Sequence, residues 1–189
     1  MSEAIATEPT TDHVDVFVSR LAKLDRGDLA ILRRNAGRTL AETRNAAGLF
    51  YRLLPLGVPE RDEELYFLLA TLYGLNDHKP EKDFGATMRA VRVKTGRESV
   101  DRRMAILLDS EFDLVDGFRP GGGEMAYRLR QCVRLAASEE VGVDWAVLLR
   151  HLLRWMSASK HVRKQWARSY YGRLPEETSD SQNTKGGNS

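Results

Sequence analysis

The sequence predicts an all-α protein, and three observations carry that prediction. Apolar residues recur at helical spacing through most of the chain. Asp, Ser, Gly and Pro stand where the apolar stripes begin or end. No stretch shows the alternation of apolar and polar positions that a half-buried strand requires. With 189 residues, 42% of them hydrophobic, the chain can form a helical bundle, or two small bundles joined by a hinge loop.

Three apolar stripes predict the first helices of an amino-terminal bundle that spans residues 13–108. The first stripe starts at Val14, and its helix ends near residues 25–27. Asp28 is predicted to cap the second helix, because an aspartate side chain can accept the first free backbone N–H groups. Pro55 ends the third helix, since proline lacks the N–H group that a helix interior needs.

The segment from Leu65 to Leu75 is predicted as the central buried helix of this bundle. It is apolar nearly all round, so none of its faces is suited to water. Two more helices follow, with a stop for one at Gly96 and a cap for the other at Ser99. Residues 109–124, which include Pro120 and three consecutive glycines, are predicted as a flexible connection.

The densest positive charge lies in residues 125–173, which are predicted as a carboxy-terminal basic helical bundle. Asp144 is predicted to cap its second helix, and no acidic residue follows until Glu176. Apolar stripes leave the cations on the outer faces of these helices. Because no carboxylate alternates with them, pairing between sequence neighbours cannot neutralise them. The acid-free run contains seven cations: Arg150, Arg154, Lys160, Arg163, Lys164, Arg168 and Arg173.

The two ends of the chain differ from the body between them. Residues 1–12 and 174–189 are predicted as a disordered leader and a disordered tail, because neither has apolar periodicity. Both are acidic, so the formal net charge of +2 understates how basic the body is. A basic body suits a polyanionic partner.

The single cysteine and the absence of apolar targeting segments indicate the compartment. Cys132 alone excludes a disulfide within the chain and indicates a reducing environment. The sequence starts with polar and acidic residues rather than a signal peptide, and no apolar run is long enough to span a membrane. The sequence therefore predicts a cytoplasmic protein.

None of the common catalytic or metal-binding patterns occurs in the sequence. The four histidines show no HExxH spacing, and Cys132 has no CxxC partner. Residues 121–123 are glycines, but they lack the Lys-Ser/Thr pair of a phosphate-binding loop. The acidic residues 62–64 are explained as a helix amino terminus. We therefore predict a protein without enzymatic activity, cofactor or metal.

The exposed cations have two explanations. Any single surface arginine is most often solvated or paired with a carboxylate, but the acid-free run departs from that pattern. Tyr127 and Tyr171 fall on cationic faces in the helical projection, where an aromatic ring can stack on a nucleic-acid base. The three tryptophans instead lie on apolar stripes and are predicted to be core residues.

Five segments carry a family resemblance through their order and spacing. They are LDRGDLAILRR at 24–34, FYRLLP at 50–55, SVDRRMAILLDSE at 99–111, YRLRQCVRLA at 127–136 and VDWAVLLRHLLRW at 143–155. Together they resemble the small subunit of the type I-E CRISPR surveillance complex, Cascade, known as the CasB family. The resemblance implies a helical, non-catalytic subunit that holds nucleic acid and is present as two copies beside the other Cascade subunits.

The resemblance also implies a mechanism and site residues. Guide RNA pairs with one strand of the target DNA, and the subunit would hold the displaced single strand through contacts to phosphate, without reading sequence. The family's basic positions correspond to Arg34, Arg102, Arg103 and Arg130. This chain's own charge pattern adds Arg33, Arg128, Lys160, Arg163 and Lys164.

Three other functions stay open at the level of sequence. A structural helical adaptor would use its basic faces against acidic protein partners and would bind DNA weakly on its own. A helix-turn-helix regulator would prefer one duplex site, but no recognition helix can be assigned. An amphipathic membrane binder is disfavoured, because a folded core accounts for the Trp and Leu of the stripes.

Overall fold

The computed structural model describes residues 12–43, 45–76, 78, 80 and 82–172. The predicted all-α fold class is confirmed, since helices dominate these residues. The predicted tail and all of the predicted leader except Asp12 lie outside the described residues, as does Arg173. The helices are α1 His13–Leu21, α2 Arg26–Arg34, α3 Ala47–Leu53, α4 Glu63–Tyr73, α5 Phe84–Thr95, α6 Ser99–Asp109, α7 Gly123–Ser138, α8 Trp145–Leu153 and α9 His161–Tyr171.

Helix ends follow the capping chemistry of the sequence, with two differences. Asp25, not Asp28, caps α2, because its carboxylate accepts the Asp28 backbone N–H at 2.8 Å. Ser99 is the first residue of α6 rather than its cap. Asp144 caps α8 as predicted and accepts the Val147 N–H at 3.0 Å. Gly96 ends α5 in the left-handed conformation.

Helix α4 is the central buried helix, as predicted. Every residue from Glu64 to Leu72 is buried, and α2 and α8 pack against it. Aromatic rings fill one side of the helix, where Phe50 meets Phe67 at 5.4 Å between ring centroids and Phe17 meets Tyr66 at 4.9 Å. This packing secures α1 and α3 on the same core.

The carboxy-terminal helices pack directly against helices of the amino-terminal half. Helix α9 lies along α5, and the Gly85 position on α5 needs glycine because a Cβ there would come within 2.3 Å of the Trp166 carbonyl oxygen. Trp155 and Trp166 are fully buried, with ring centroids 4.9 Å apart. The predicted core role of these tryptophans holds. A single hydrophobic cluster therefore contains residues of both predicted bundles.

The stretch predicted as a flexible connection, 109–124, contains an ordered hairpin. Strands β1 Asp113–Val115 and β2 Arg119–Gly122 pair antiparallel. Gly121 lies so close to α4 that a Cβ would come within 2.5 Å of the Glu64 Cβ. Gly121 therefore allows a close approach between the hairpin backbone and α4. The strands have only three and four residues, too few to show an alternating pattern.

Candidate nucleic-acid interface

Helix α7 positions the central group of cations. Its buried stripe consists of Met125, Leu129, Cys132, Val133 and Ala136. Anchoring that stripe in the core leaves Tyr127, Arg128 and Arg130 away from it, with the Tyr127 side chain exposed and the two arginines partly exposed.

Arg130 connects α7 to the end of α2. Its Nη1 donates a hydrogen bond to the Ala36 carbonyl oxygen at 2.9 Å, across 94 positions of sequence. The guanidinium lies against Gly37, where an added Cβ would come within 1.7 Å of Nη1. Gly37 also has a φ of 98°, a left-handed conformation that favours glycine. This contact brings Arg130 to the end of α2, which carries Arg33 and Arg34.

Tyr127 contacts two guanidinium groups. The Arg128 and Arg130 guanidinium carbons are each 5.5 Å from the centre of its ring, a distance typical of cation–π contacts. The ring is 48% exposed, so an additional planar group can reach it. Arg128 also pairs with Glu124 at 3.1 Å, which moderates its charge.

Helix α6 contacts α7 and carries two more arginines. Val100, Met104 and Leu107 are buried, while Arg102 and Arg103 are exposed and form no ion pair with any described residue. Burial raises the pKa of the Cys132 thiol to about 12, and the positive charges of Arg103 and Arg128 act in the opposite direction. Arg103 is therefore within electrostatic reach of α7.

Three neighbouring regions supply these side chains: the end of α2, which Arg130 reaches, helix α6, which contacts α7, and α7 itself. We call the set the α7 surface, and it consists of Arg33, Arg34, Arg102, Arg103, Tyr127, Arg128 and Arg130. It includes the four arginines that the resemblance points to and two of the five cations that the charge pattern adds. Arg33 and Arg34, like the α6 pair, have no carboxylate partner within the described part of the chain.

A cavity of about 200 Å³ lies beside this surface. The loop after α2, strand β2 and the start of α7 line it, and Arg38, Tyr127 and Arg130 are among its lining residues. Sequence reasoning missed Arg38, because it lies in a loop outside the helical stripes. Long-range contacts, among them the hydrogen bond from Arg130 to Ala36, place that loop beside α7.

Comparison with known proteins identifies the family. The family model for CRISPR-associated protein Cse2 matches residues 28–171. The chain belongs to the CRISPR-associated Cse2 family. A Cse2 protein of Thermus thermophilus is 39% identical over 115 residues, which are 60% of this chain and 59% of that protein. The match thus spans less than two thirds of that relative, and it confirms the family predicted from the five segments.

Solved Cse2-family structures share the fold of this chain. CasB of Thermus thermophilus has a TM-score of 0.68 at 30% identity, covering 85% of this chain and 98% of that one. CasB of M. ruber has a TM-score of 0.65 at 25% identity, covering 85% and 93%. A chain of a CRISPR RNA-guided surveillance complex, 21% identical with a TM-score of 0.67, covers 84% and 91% and shows the same fold.

The carboxy-terminal cations of this Cse2-family chain have more varied surroundings than the arginines of the α7 surface. We call the six cations from Arg150 to Arg168 the carboxy-terminal block: Arg150, Arg154, Lys160, Arg163, Lys164 and Arg168. Lys160 and Lys164 are exposed, and Lys160 has a left-handed backbone at the start of α9. Arg154 and Arg168 are exposed too.

Arg163 contacts the protein interior. Its side chain is only 11% exposed and pairs with Glu111 at 2.5 Å. Its guanidinium also lies 4.9 Å from the centre of the Trp155 ring. This arginine holds α9 against the segment after α6, so its charge is already satisfied.

Arg150 is also neutralised, by carboxylates that are distant from it in the sequence. Asp12 and Asp15, near the start of the described chain, pair with it at 2.6 Å and 2.7 Å. The hydrogen bond from Arg150 lowers the pKa of Asp12. The acid-free sequence run therefore overstates the free charge of this region, because tertiary contacts supply carboxylates that sequence neighbours do not.

Other chemistry is limited in the part of the chain that the structure describes. No group of three or more His, Cys, Asp or Glu side chains there could hold a metal ion. His151 Nδ1 accepts a hydrogen bond from Trp166 Nε1 at 2.9 Å, and burial lowers the pKa of His151. Among the same residues no helix has the length and apolar character needed to cross a membrane.

Proposed function

We propose that this chain is a non-catalytic, nucleic-acid-binding subunit of a type I-E CRISPR interference complex. It holds the displaced DNA strand and so stabilises the R-loop. Membership of the Cse2 family and the shared fold with a chain of a surveillance complex support the assignment. The observation that carries it is the α7 surface, where the partly exposed Arg128 and Arg130 contact the exposed Tyr127 and where exposed arginines on α2 and α6 have no carboxylate partner among the described residues.

The chemistry of this surface suits a single strand. Arginines contact phosphate oxygens whatever the base sequence, so binding follows the backbone. The Tyr127 ring offers a face on which one base can stack, and base–aromatic stacking contributes about 1–3 kcal/mol per base. R-loop formation is close to balanced energetically, so protein contacts to the displaced strand decide whether the open state persists.

The proposed partners follow from the same assignment. They are the other Cascade subunits, a second copy of this chain, the guide RNA and the target DNA. Within a cytoplasmic complex of this kind the chain acts by binding, and no catalytic group is assigned to it.

The experiment is a comparison of single-stranded DNA affinity across a salt series. The test variant is Arg34→Gln/Arg102→Gln/Arg103→Gln, because these side chains are exposed and have no ion pair among the described residues. The matched control is Lys23→Gln/Arg26→Gln/Arg52→Gln, which removes the same charge from exposed positions outside the α7 surface. We expect the test variant to lower the slope of log K against log[salt] by about 2, since each single-strand phosphate contact contributes about 0.7.

Two results would contradict the proposal. Equal losses in both variants would mean that DNA responds only to overall charge. If the wild-type protein binds DNA neither alone nor within the assembled complex, the result favours the alternative function, a structural adaptor whose basic faces meet acidic protein partners. Unfolding curves of both variants exclude a loss of fold as the cause.

A further inference from the structure

The described part of the chain contains a groove outside the α7 surface. It lies between α5, α8 and α9 and has a volume of about 960 Å³. Its apolar lining includes Ala86, Ala90 and Val93, and the Val93 side chain is 76% exposed. Lysine and arginine side chains stand around this apolar strip.

The cations of the groove are only partly neutralised. Arg150 and Lys94 already pair with Asp12, Asp15 and Glu140. Lys82 and Arg154 form no ion pair with a described residue. The Asp83 carboxylate caps α5 and accepts hydrogen bonds from α9, so it is already engaged. The groove therefore presents an apolar strip beside unpaired positive charge.

The chain leaves the described structure at the edge of this groove. Arg89, which lines the groove, donates a hydrogen bond to the Gly172 carbonyl oxygen at 2.6 Å. The sequence that follows contains the apolar pair Leu174-Pro175 and then three acidic residues, Glu176, Glu177 and Asp180. That order, apolar and then acidic, complements the groove. Seven residues extend to roughly 25 Å, enough to cross a groove between helices whose axes are about 8–10 Å apart.

We propose that the acidic segment 174–180 docks in the α5–α8–α9 groove of its own chain and shields the groove from other polyanions. Attachment at Gly172 gives the segment a high effective concentration at the groove, so weak contacts suffice. The sequence of the segment has no apolar periodicity, and a segment of that kind can become ordered when it binds a surface. The acidic leader competes poorly, because Glu8 is the one acid within seven residues before Asp12.

Disulfide trapping in the full chain tests this proposal without nucleic acid, so its result is independent of the function proposed above. The test pair is Val93→Cys/Thr178→Cys, and the control pair is Ala105→Cys/Thr178→Cys, with Ala105 exposed on α6. The native Cys132 is buried and has a raised thiol pKa, so it reacts slowly. We expect the test pair to oxidise at least about tenfold faster than the control pair, which reflects the local concentration of the docked segment.

Charge variants sharpen the result. Adding Glu176→Gln/Glu177→Gln/Asp180→Asn to the test pair should remove most of that advantage, as should high salt. Adding Glu3→Gln/Glu8→Gln instead should leave it unchanged. Equal oxidation of the test and control pairs would overturn the proposal. The single variant Val93→Cys tests other occupants through alkylation of the introduced thiol. If only added single-stranded DNA, or only an acidic peptide, protects this thiol, the groove is assigned to that occupant instead.

Discussion

The α7 surface and the carboxy-terminal block contain similar numbers of cations but use them differently. In the α7 surface, Arg34, Arg102 and Arg103 are exposed and have no carboxylate partner among the described residues. In the block, which is the denser run in the sequence, Arg150 and Arg163 pair with carboxylates from distant positions. Positive charge along a sequence therefore does not predict free positive charge on the surface.

The first prediction tests whether the two regions share one core. Trp155 is fully buried, and its Nε1 donates to the Ser110 carbonyl oxygen at 3.1 Å. We expect Trp155→Ala to lower the free energy of unfolding by about 3–5 kcal/mol. Because one hydrophobic cluster spans both halves, the loss should appear in a single urea transition, with far-UV circular dichroism and tryptophan fluorescence coinciding.

The control for this prediction is Met156→Ala. Met156 follows α8 and is 50% exposed. We expect a change within about 0.5 kcal/mol. Two separate transitions in Trp155→Ala would instead support two independent bundles.

The second prediction separates a paired cation from a free one. Arg163→Gln leaves Glu111 without its partner and removes the contact with Trp155, so we expect a loss of about 1–3 kcal/mol in stability and little change in DNA affinity. Arg34→Gln should change stability by less than about 0.5 kcal/mol and weaken DNA binding. Urea unfolding and a fluorescence binding titration on both variants measure the two effects. The contrast fails if Arg163→Gln weakens DNA binding as much as Arg34→Gln does.

The sequence predicts the helices well and the environment of the cations less well. Helical periodicity is local, so the buried stripes of α7 and α9 can be predicted from residue spacing alone, and the continuous apolar run of α4 predicts its burial. The pairing of Arg163 with Glu111 depends on how α9 packs, and no short-range pattern encodes it. The hairpin at 113–122 is missed for the same reason, because Gly121 acquires its role only against α4.

The third prediction tests how the α7 surface is assembled. Gly37→Ala places a methyl group in a left-handed position and against the Arg130 guanidinium. Gly96 is also left-handed, with a φ of 66°, but has open space around its Cβ position, so Gly96→Ala is a matched control for backbone strain. Each variant should lose about 1–2 kcal/mol of stability from the backbone conformation.

Only the Gly37 variant should weaken DNA binding, because only there does the substitution displace Arg130. The binding titration used for Arg34→Gln measures this difference. Unchanged affinity in Gly37→Ala would show that the bond from Arg130 to Ala36 is not needed for the surface to bind DNA.

The smallest predicted effect concerns a neutralised cation of the carboxy-terminal block, Arg150, and its ion pair with Asp12. Asp12→Asn keeps a side chain that can cap α1, and both partners are partly exposed, so we expect a loss below about 1 kcal/mol at neutral pH. Arg150 lowers the pKa of Asp12, so the folded chain keeps this carboxylate ionised at a lower pH than the unfolded chain does. The stabilisation is therefore present above the ordinary value of 3.8 and is lost as pH falls through the lowered pKa. Urea unfolding at neutral and acidic pH, in a double-mutant cycle with Arg150→Gln, should give a coupling energy that disappears in acid. A coupling that is absent at neutral pH would mean that Asp12 does not neutralise Arg150, whose pairing would then rest on Asp15 alone.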